Sequence, residues 1–306
     1  MQQEEVFQTY KRLLFSIAYN MLGNVMDAED CVQEAFLRWC QASDEGVEKR
    51  EEARERLKEI GAVRSPQAYL STIVTRLCID HLRSARMQHE RYVGVWLPEP
   101  LITTDESSVT EMAELSEALS LAFLRLLEQL SPIERAVFLL RQVFDYEYAE
   151  IAAIVQKSED NCRQIVRRAR QHLGAQHALY PVSREQQDTI LQQFIRACMS
   201  GDMDGLLAVL ADDIVSYADS GGKVVAAINP IYGADKVARY LLGMLKKAPE
   251  DYAFRLARVN GQPGILNYIG GEPYAVLTLD IRDGRIREID VIRNPDKLRG
   301  VPALRE

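Results

Sequence analysis

The stretch that decides the fold of this chain is residues 148–173, YAEIAAIVQKSEDNCRQIVRRARQHL. Residues 148–155 have the length and apolar content of a short helix, and residues 156–157 form a tight turn. Residues 158–160, Ser-Glu-Asp, then supply the cap and acidic first turn of a second helix that continues to about Leu173. A short helix, a tight turn and a capped second helix are typical of a helix-turn-helix.

The second of these helices has two different faces. Apolar residues at helical spacing can face the first helix, namely Cys162, Ile165, Val166, Ala169 and Leu173. The outward set is Asn161, Arg163, Gln164, Arg167, Arg168 and Arg170. Arginine can pair bidentately with guanine, and Asn or Gln with adenine, so this composition favours a reader of the major groove. A merely basic, solvated helix is the alternative, but the turn, the cap and the polar stripe agree with one another.

The chain before this motif also has mostly helical patterns. Residues 131–134, Ser-Pro-Ile-Glu, have the serine, the proline and the returning carboxylate of a capping box. Helical spacing extends to about residue 92, with a new start at residues 65–66. Residues 44–59 carry both signs of charge and predict a solvated helix or insertion, to which we assign no chemistry. Two prolines within residues 96–100, Trp-Leu-Pro-Glu-Pro, predict an irregular linker.

Two charged helices in this first part are candidate binding surfaces. Basic and aromatic groups that lie together suit unpaired DNA bases, and the set is Arg76, Arg83, Arg86, Arg91 and Tyr92. Acids surround another helix start beside large apolar residues, and the set is Asp27, Glu29, Asp30, Glu34, Phe36, Leu37 and Trp39. Acids suit the dipole of a helix N-terminus, which is the structural explanation. An acidic and partly apolar face also suits a basic protein partner.

After about residue 181 the pattern changes to a mixture of helices and strands. Helical spacing predicts helices at about 184–199, 203–210 and 234–247. Strands are predicted at 214–218, 224–228, 252–259, 265–269, 275–281 and 286–293. Asn260-Gly261 and Asp283-Gly284 are hairpin signals because both pairs favour positive φ. Together these elements predict an α+β domain with a curved antiparallel sheet.

Composition limits the classes of function. The net charge is −8, so any DNA contact must be local and not spread over the whole surface. No apolar run approaches the ~20 residues that cross a bilayer, and residues 1–5 have no basic stretch, so we expect a cytoplasmic protein without membrane contact. The five cysteines are scattered without a C-x-x-C pair, which predicts reduced thiols. We expect no metal and no cofactor.

Three segments, in this order, resemble the extracytoplasmic-function sigma factors of the sigma-70 family. They are LFSIAY at 14–19, DAEDCVQEAFLRW at 27–39 and SPIERAVFLL at 131–140. Three more motifs are similar to those of the SigJ-type subgroup, whose members carry a SnoaL-like C-terminal extension. They are WLPEP at 96–100, DSGGKV at 219–224 and NPDKL at 294–298. Ser220 departs from the glycine that is usual in that subgroup.

The resemblance implies an alternative sigma factor that binds core RNA polymerase and directs promoter-specific transcription initiation. Docking on the clamp helices of the polymerase, with the flap as a second contact, is implied for Asp27, Glu29, Asp30, Gln33, Glu34, Phe36 and Leu37. Reading of the −10 element is implied for Arg76, Asp80, Arg83, Arg86 and Arg91. Reading of the −35 element is implied for the 158–170 helix through the outward set named above.

The same resemblance implies two all-α domains followed by an α+β cone. The implied boundaries are a region 2 domain at 1–93, a linker at 94–110, a region 4 helix-turn-helix domain at 111–180 and a SnoaL-like regulatory domain at 181–306. Promoter DNA and core polymerase are the implied partners.

The role of the C-terminal domain stays open. Catalysis would need an acid or base of tuned pKa, and since no histidine follows His177 the candidates are Asp219, Asp280, Asp290, Tyr217, Tyr232 and Tyr268. A concave cone can also hold a small ligand. We favour an intramolecular regulator whose contact residues are Trp96, Pro98, Asp219, Gly221, Gly222, Lys223, Asn294, Pro295, Asp296, Lys297 and Leu298. A hairpin turn and a terminal brace are the structural explanation of the same motifs.

A second class of function remains beside the sigma factor. A one-component regulator would sense a ligand with its C-terminal cone and bind operators through its helix-turn-helix. That hypothesis gives no role to the acidic helix at 27–39 or to the basic helix at 76–92. The promoter, and whether the extension activates or inhibits, do not follow from the sequence.

Overall fold

A computed structural model describes residues 2–44, 66–89, 92–103, 119–173 and 183–304. Contacts between residues divide the chain into two compact units, residues 1–90 with 126–177 and residues 91–125 with 178–306. Most of the charged segment at 44–59 and the predicted cap Ser65 lie outside the described residues. The domain boundaries expected from the sequence stay predictions.

The described part of the first unit is helical. Its helices are α1 (Gln2–Leu22), α2 (Val25–Asp44) and α3 (Pro66–His89), followed later in the chain by α5 (Pro132–Gln142), α6 (Tyr148–Val155) and α7 (Glu159–Leu173). Helix α4 (Leu121–Leu127) is where the chain passes from the second unit to the first. Apolar side chains at helical spacing fill the core, among them Leu14, Ile17, Leu70, Val74 and Leu139.

Buried polar contacts join the first three helices to the helix-turn-helix segment within this unit. The Arg135 guanidinium is only 4% exposed, and its Nη1 donates to the Met21 carbonyl at 2.7 Å. The Tyr146 hydroxyl donates to Ser71 Oγ at 2.7 Å. Because buried polar groups must be paired to be tolerated, these contacts fix how α5 and its following loop lie against α1 and α3.

Local sequence signals place the helix-turn-helix where the sequence predicts it. The capping box at Ser131 and Glu134 is present at the start of α5. Helix α6 ends at Gln156, whose φ of 55° gives the left-handed turn. Ser158 Oγ then accepts from the Asn161 amide at 3.2 Å and caps α7. The turn and cap therefore set the angle at which α7 leaves α6.

The second unit contains a seven-stranded sheet among its described residues. The strands are β1 (Ile102–Thr103), β2 (Leu210–Asp219), β3 (Ile231–Tyr232), β4 (Tyr252–Val259), β5 (Gln262–Ile269), β6 (Glu272–Arg282) and β7 (Arg285–Ile292). Their order is β1-β4-β5-β6-β7-β2-β3, and every pair is antiparallel except β2 with β7, which is parallel. The predicted hairpin turns hold, since Asn260 and Asp283 have φ of 50° and 53°.

Three helices cover one face of this sheet. They are α8 (Arg184–Ser200), α9 (Met203–Val209) and α10 (Ala234–Leu245). Phe194, Leu206 and Val237 of these helices are buried against the sheet residues Leu279 and Ile289. Side chains that alternate with these along β7, among them Glu288 and Asp290, belong to the opposite face of the sheet.

One predicted strand, at 224–228, is wrong. That segment is a loop in which Val225 is 88% exposed and Ile228 is 63% exposed, and the next strand is the two-residue β3. Gly221 and Gly222 have positive φ before the segment, and Pro230 ends it. A turn and a proline at its two ends oppose pairing in a sheet even though three of the five residues at 224–228 are β-branched.

Candidate nucleic-acid interface and linker clasp

Helix α7 separates buried from exposed side chains as predicted. Its apolar side, Cys162, Ile165, Val166, Ala169 and Leu173, is buried. Asn161 is half-buried, and the other five candidate DNA-reading residues are exposed, namely Arg163, Gln164, Arg167, Arg168 and Arg170. An uninterrupted basic stripe therefore faces outward from the second helix of the motif, as contact with phosphates and base edges requires.

Two arginines of the stripe already have partners within the chain. Arg163 pairs with Glu159 at 2.8 Å and with Asp160 at 3.0 Å, both one turn back on its own helix. Arg170 Nε donates to Gln142 Oε1 at 3.0 Å. Because such exposed pairs contribute little to stability, phosphates or bases can replace them at small cost.

Arg76, predicted to contact DNA from α3, makes internal hydrogen bonds instead in this structure. Its Nε donates to the Ile154 carbonyl at 3.0 Å and its Nη2 to the Ala153 carbonyl at 3.2 Å. These carbonyls end helix α6, where a cation is favoured by the dipole and by the orphan carbonyls. Arg76 thus joins α3 to the helix-turn-helix inside the first unit.

The other candidates of the basic helix have different environments. Asp80 and Arg83 are exposed and form an ion pair at 3.2 Å. Arg86 lies on α3, and Arg91 lies outside the described residues. Tyr92, expected to stack on unpaired bases, instead donates its hydroxyl to Asp219 Oδ1 at 2.5 Å. In this structure the Tyr92 hydroxyl therefore makes its contact within the second unit.

Helix α2 presents the predicted acidic face. Its exposed candidates are Glu29, Asp30, Gln33 and Leu37, and Leu37 keeps 54% of its surface exposed. Single exposed apolar residues are common on protein surfaces, so the acids beside Leu37, and not the leucine alone, make this face a candidate interface.

Three candidates on α2 have internal partners. Glu34 pairs with Arg38 at 2.7 Å, and the Phe36 ring packs on Phe7 with ring centres 4.5 Å apart. Asp27 lies 3.5 Å from His81 of α3, and its hydrogen bond raises the pKa of the His81 imidazole. Phe36 therefore anchors α2 to α1, whereas the exposed acids remain available to a partner.

The strongest polar site of the second unit is centred on Asp219, at the end of β2. Asp219 is fully buried, and its carboxylate accepts from the Tyr92 hydroxyl, the Leu97 amide at 2.9 Å and the Gly221 amide at 3.0 Å. Lys297 Nζ completes the set at 2.7 Å, with its side chain 7% exposed. We call Asp219, Asn294 and Lys297, with the Tyr92 and Leu97 that they hold, the linker clasp.

Lys297 and Asn294 also contact the linker directly. Lys297 Nζ also donates to the Leu97 carbonyl and lies 4.3 Å from the centre of the Trp96 ring. Asn294 Nδ2 donates to the Tyr92 hydroxyl at 2.9 Å. The Lys297 ammonium therefore interacts with both the Asp219 carboxylate and the face of the Trp96 ring. Pro98 and Leu298 are buried nearby in the same unit, whereas Pro295 is exposed and begins a single 3-10 turn.

The two glycines of the motif at 219–223 are needed for close approach. Gly221 has φ of 58°, and a Cβ there would lie 2.5 Å from Asn294 Nδ2. Gly222 has φ of 71°, and a Cβ there would lie 3.0 Å from Val93. Lys223 pairs with Asp296 at the surface. The structure therefore brings together the linker and both C-terminal motifs, which the sequence predicts only as separate candidates.

A second buried charge site on the same sheet was not predicted. Arg125 Nη2 donates to both carboxylate oxygens of Glu288, at 2.7 and 2.6 Å, and the guanidinium lies 3.8 Å from the Tyr217 ring centre. Asp280 and Asp290 lie in the same cluster. Burial raises the pKa of each of these three carboxyls, and that of Asp290 is raised most clearly because Glu288 adds its charge. No local pattern around Arg125 marks it, since its partner is 163 residues away.

The residues considered as acid–base groups do not form one site. Asp219 is paired with Lys297, and Asp280, Asp290 and Tyr217 belong to the Arg125 cluster. The Tyr268 hydroxyl donates to the Pro302 carbonyl at 3.1 Å, and Tyr232 is 60% exposed. These groups therefore have structural partners or lie in solvent.

Metal and membrane sites find no support among the described residues. No cluster of three His, Cys, Asp or Glu side chains there could hold a metal ion, and all five cysteines are free thiols. Over the same ranges, no helix combines the length and apolar character needed to span a bilayer.

Comparison with known proteins gives consistent matches along the chain. "Sigma-70 region 2" matches residues 6–87, and "Sigma-70, region 4" matches residues 120–173. The ECF RNA polymerase sigma factor SigJ of Mycobacterium tuberculosis is 34% identical over 97% of this chain and 93% of its own length. The probable ECF RNA polymerase sigma factor SigI of the same species is 29% identical over 95% of this chain and 93% of its own length.

A solved structure is similar over nearly the same extent. The crystal structure of the Mycobacterium tuberculosis extracytoplasmic function sigma factor SigJ has a TM-score of 0.76 and 31% identity, and the match covers 98% of this chain and 99% of that one. This likeness confirms the fold class expected from the sequence, helical domains with a helix-turn-helix followed by an α+β cone.

Proposed function

This chain belongs to the extracytoplasmic-function RNA polymerase sigma factors, and from that premise we propose which of its surfaces contact the polymerase and which contact the promoter. As an alternative sigma factor it binds core RNA polymerase and directs initiation to promoters. The observation that carries the proposal is the continuous basic stripe of α7, which is exposed on a helix capped by Ser158. In this proposal Arg163, Gln164 and their neighbours on α7 read the −35 element.

The remaining surfaces take the other roles. The exposed acids of α2, with Leu37, dock on the clamp helices of the polymerase, because an acidic and partly apolar face complements a basic one. The flap is the second polymerase contact. The basic side of α3 meets the −10 element. In a one-component regulator, the helices that match sigma-70 region 2 would have no function.

The contacts inside the first unit imply that α3 and the helix-turn-helix must separate before the two promoter elements can be read together. Arg76 and Tyr146 hold α3 and the helix-turn-helix together through the Ile154 carbonyl and Ser71. Two promoter elements lie apart on DNA, so reading both at once requires the two helical segments to separate. Polymerase binding then stabilises the open state by its differential affinity for it.

The C-terminal domain acts as a regulator through contact. Its linker clasp holds residues 92–97, and its acid–base candidates have structural partners, so we assign it a positioning role and no reaction. Holding the linker restricts how far the helical segments on its two sides can separate. We keep the domain boundaries at residues 93, 110 and 180 as part of this proposal, because they separate the two helical domains, the linker and the regulatory domain.

Core polymerase and promoter DNA test the proposal directly. Purified protein is added to core polymerase, and run-off transcription is measured on a library of promoter fragments. We expect transcription from a subset with shared −35 and −10 sequences, and loss of that selectivity when Arg163 and Arg167 are both changed to alanine. Tight operator binding without polymerase, together with no initiation in its presence, would favour a one-component regulator instead.

A further inference from the structure

The concave side of the C-terminal sheet encloses a cavity of about 140 Å³. It lies between α8, α10 and the central strands, and Phe194, Tyr240, Met244 and Phe254 are among its mostly apolar walls. An apolar cavity of ~150 Å³ is large enough to hold a benzene ring. The space therefore fits one aromatic ring or a short acyl chain.

The polar groups on the walls are few, and most are satisfied. The Tyr252 hydroxyl donates to Asn267 Oδ1 at 2.6 Å, and Asn267 Nδ2 donates to the Ile265 and Ala275 carbonyls at 3.3 Å each. Burial raises the pKa of the Cys198 thiol to about 12, so this side chain stays neutral. None of these groups calls for a charged ligand.

Arg293 is different, since among the described residues that form the walls it is the one that carries a charge. Its guanidinium lies 4.2 Å from the Tyr274 ring centre, and its Nε is buried without a hydrogen-bond acceptor among the described residues. A buried donor without an acceptor costs free energy, and more so when it is charged. A guanidinium in an apolar site is best completed by a carboxylate, which it can bind with two hydrogen bonds.

From the apolar walls and this single cation, we propose that the cavity binds a small organic carboxylate, with its apolar body in the cavity and its carboxylate on Arg293. The acid–base candidates of this domain lie outside the wall set, so the site binds and does not react. Recognition resembles that of other small-molecule sites, in which apolar walls supply affinity and one polar group fixes the orientation.

Arg293 also connects the cavity to the linker clasp. Its Nη1 donates to the Val225 carbonyl, just after the motif at 219–223, and its backbone amide donates to the Asp219 carbonyl at 2.7 Å. Asn294, the next residue, is a member of the clasp. A carboxylate on Nε and Nη2 leaves the Nη1 bond to Val225 in place, so the bound ligand shares its guanidinium with the loop that contacts the linker.

Fluorine NMR of the full chain tests the site with 4-fluorobenzoate as the probe and 4-fluorobenzyl alcohol as its neutral counterpart. We expect the protein to broaden the fluorine signal of the benzoate in a saturable way. The alcohol should bind at least about tenfold more weakly, because it leaves Arg293 without a counter-charge. Arg293→Gln should remove the preference for the carboxylate. Equal binding of the two probes, or an unchanged preference in Arg293→Gln, would overturn the proposal.

A second variant keeps the test decisive if Arg293→Gln does not fold. Met244→Trp narrows the cavity mouth without touching Arg293, since Met244 is 38% exposed there. Ile228→Trp is its matched control on an exposed residue outside the walls. Benzoate binding should be lost in the first and kept in the second, whereas equal binding in both would place the probe elsewhere. The measurement needs no polymerase, so its outcome is independent of the sigma-factor proposal.

Discussion

At the scale of single residues, the ion pair between Asp219 and Lys297 is buried, with the two side chains 0% and 7% exposed. Asp219→Asn keeps the shape, but it replaces one of two acceptor oxygens by an amide NH2, so it loses two of the four hydrogen bonds and leaves the Lys297 ammonium without a counter-charge. Breaking a buried pair in this way costs about 3–5 kcal/mol. We expect this loss in urea unfolding followed by Trp96 fluorescence in a Trp39→Phe background, since these are the two tryptophans of the chain.

The surface pair Lys223 and Asp296 gives the matched control. Their side chains are 53% and 44% exposed, so Lys223→Met should cost no more than about 1 kcal/mol. Similar losses for Asp219→Asn and Lys223→Met would mean that the clasp contributes no more than an ordinary surface pair.

The buried carboxyl of Asp290 makes a prediction about pH. Burial and the neighbouring Glu288 raise its pKa in the folded state, so the folded chain keeps a proton that the unfolded chain releases above its ordinary pKa of ~3.9. The free energy of unfolding should therefore fall as pH rises from about 4 upwards through the folded pKa. Asp290→Asn should flatten this slope in urea unfolding at a series of pH values. Parallel pH curves for the variant and for the parent would show that Asp290 is ionised in the fold.

Sequence patterns identify part of these sites. The motifs at 219–223 and 294–298 were singled out by their resemblance to the SigJ-type subgroup, whereas their glycines and proline by themselves predict only a turn and a brace. The partners of Tyr92, Leu97 and Arg125 are not visible locally, since a residue whose partner lies more than 100 positions away leaves no local periodicity. Burial of Asp290 is equally invisible, because an acid in an alternating strand is expected to face solvent.

At the scale of the elements, α7 should read bases with some of its arginines and hold phosphates with others. Arg163→Ala should weaken binding to the preferred −35 sequence by about 10- to 100-fold and relax selection at one base pair. Arg170→Ala should weaken all sequences alike. Binding is measured for the holoenzyme on a panel of −35 variants, and thermal melting serves as the folding control. Uniform losses for Arg163→Ala would assign it to the phosphates.

Helix α2 makes a separate prediction about the polymerase. Asp30→Arg combined with Glu34→Arg should weaken binding to core polymerase by at least about tenfold, because the reversed charges repel a basic partner. Glu4→Arg combined with Glu5→Arg on α1 changes the net charge equally and serves as the control. A titration by fluorescence anisotropy measures both. Equal affinities for the two double variants would remove α2 from the interface.

Elements follow from the sequence to the extent that their signals are local. The capping box at 131–134, the turn at Gln156 and the hairpins at Asn260 and Asp283 depend on neighbouring residues, and all of them are present. The strand at 224–228 was wrong because its β-branched residues have no neighbouring strand, which only the whole sheet decides. The parallel pairing of β2 with β7 was not predicted, since these strands are far apart in the chain.

At the scale of the whole molecule, removal of residues 294–306 should release the linker. The truncation deletes Asn294 and Lys297, so Asp219 loses its counter-charge and Tyr92 and Leu97 keep only their hydrogen bonds to Asp219. We expect a changed small-angle scattering profile and altered promoter-specific transcription, because the two DNA-reading segments must reach separated elements at once. Lys297→Met removes only the ammonium group. It should change the scattering profile and the transcription in the same direction as the truncation does. Identical scattering and activity in both variants would contradict regulation by the clasp.

The long sequence separation within the clasp affects how each new molecule is made. Lys297 follows Leu97 by 200 residues, and bacterial ribosomes add about 5–20 residues per second. Roughly 10–40 s therefore pass between synthesis of the linker and synthesis of the lysine that holds it, which is ample time for α1 to α3 to fold on the nascent chain. Each copy is thus made with a free linker, which can be held only after Lys297 has been synthesised.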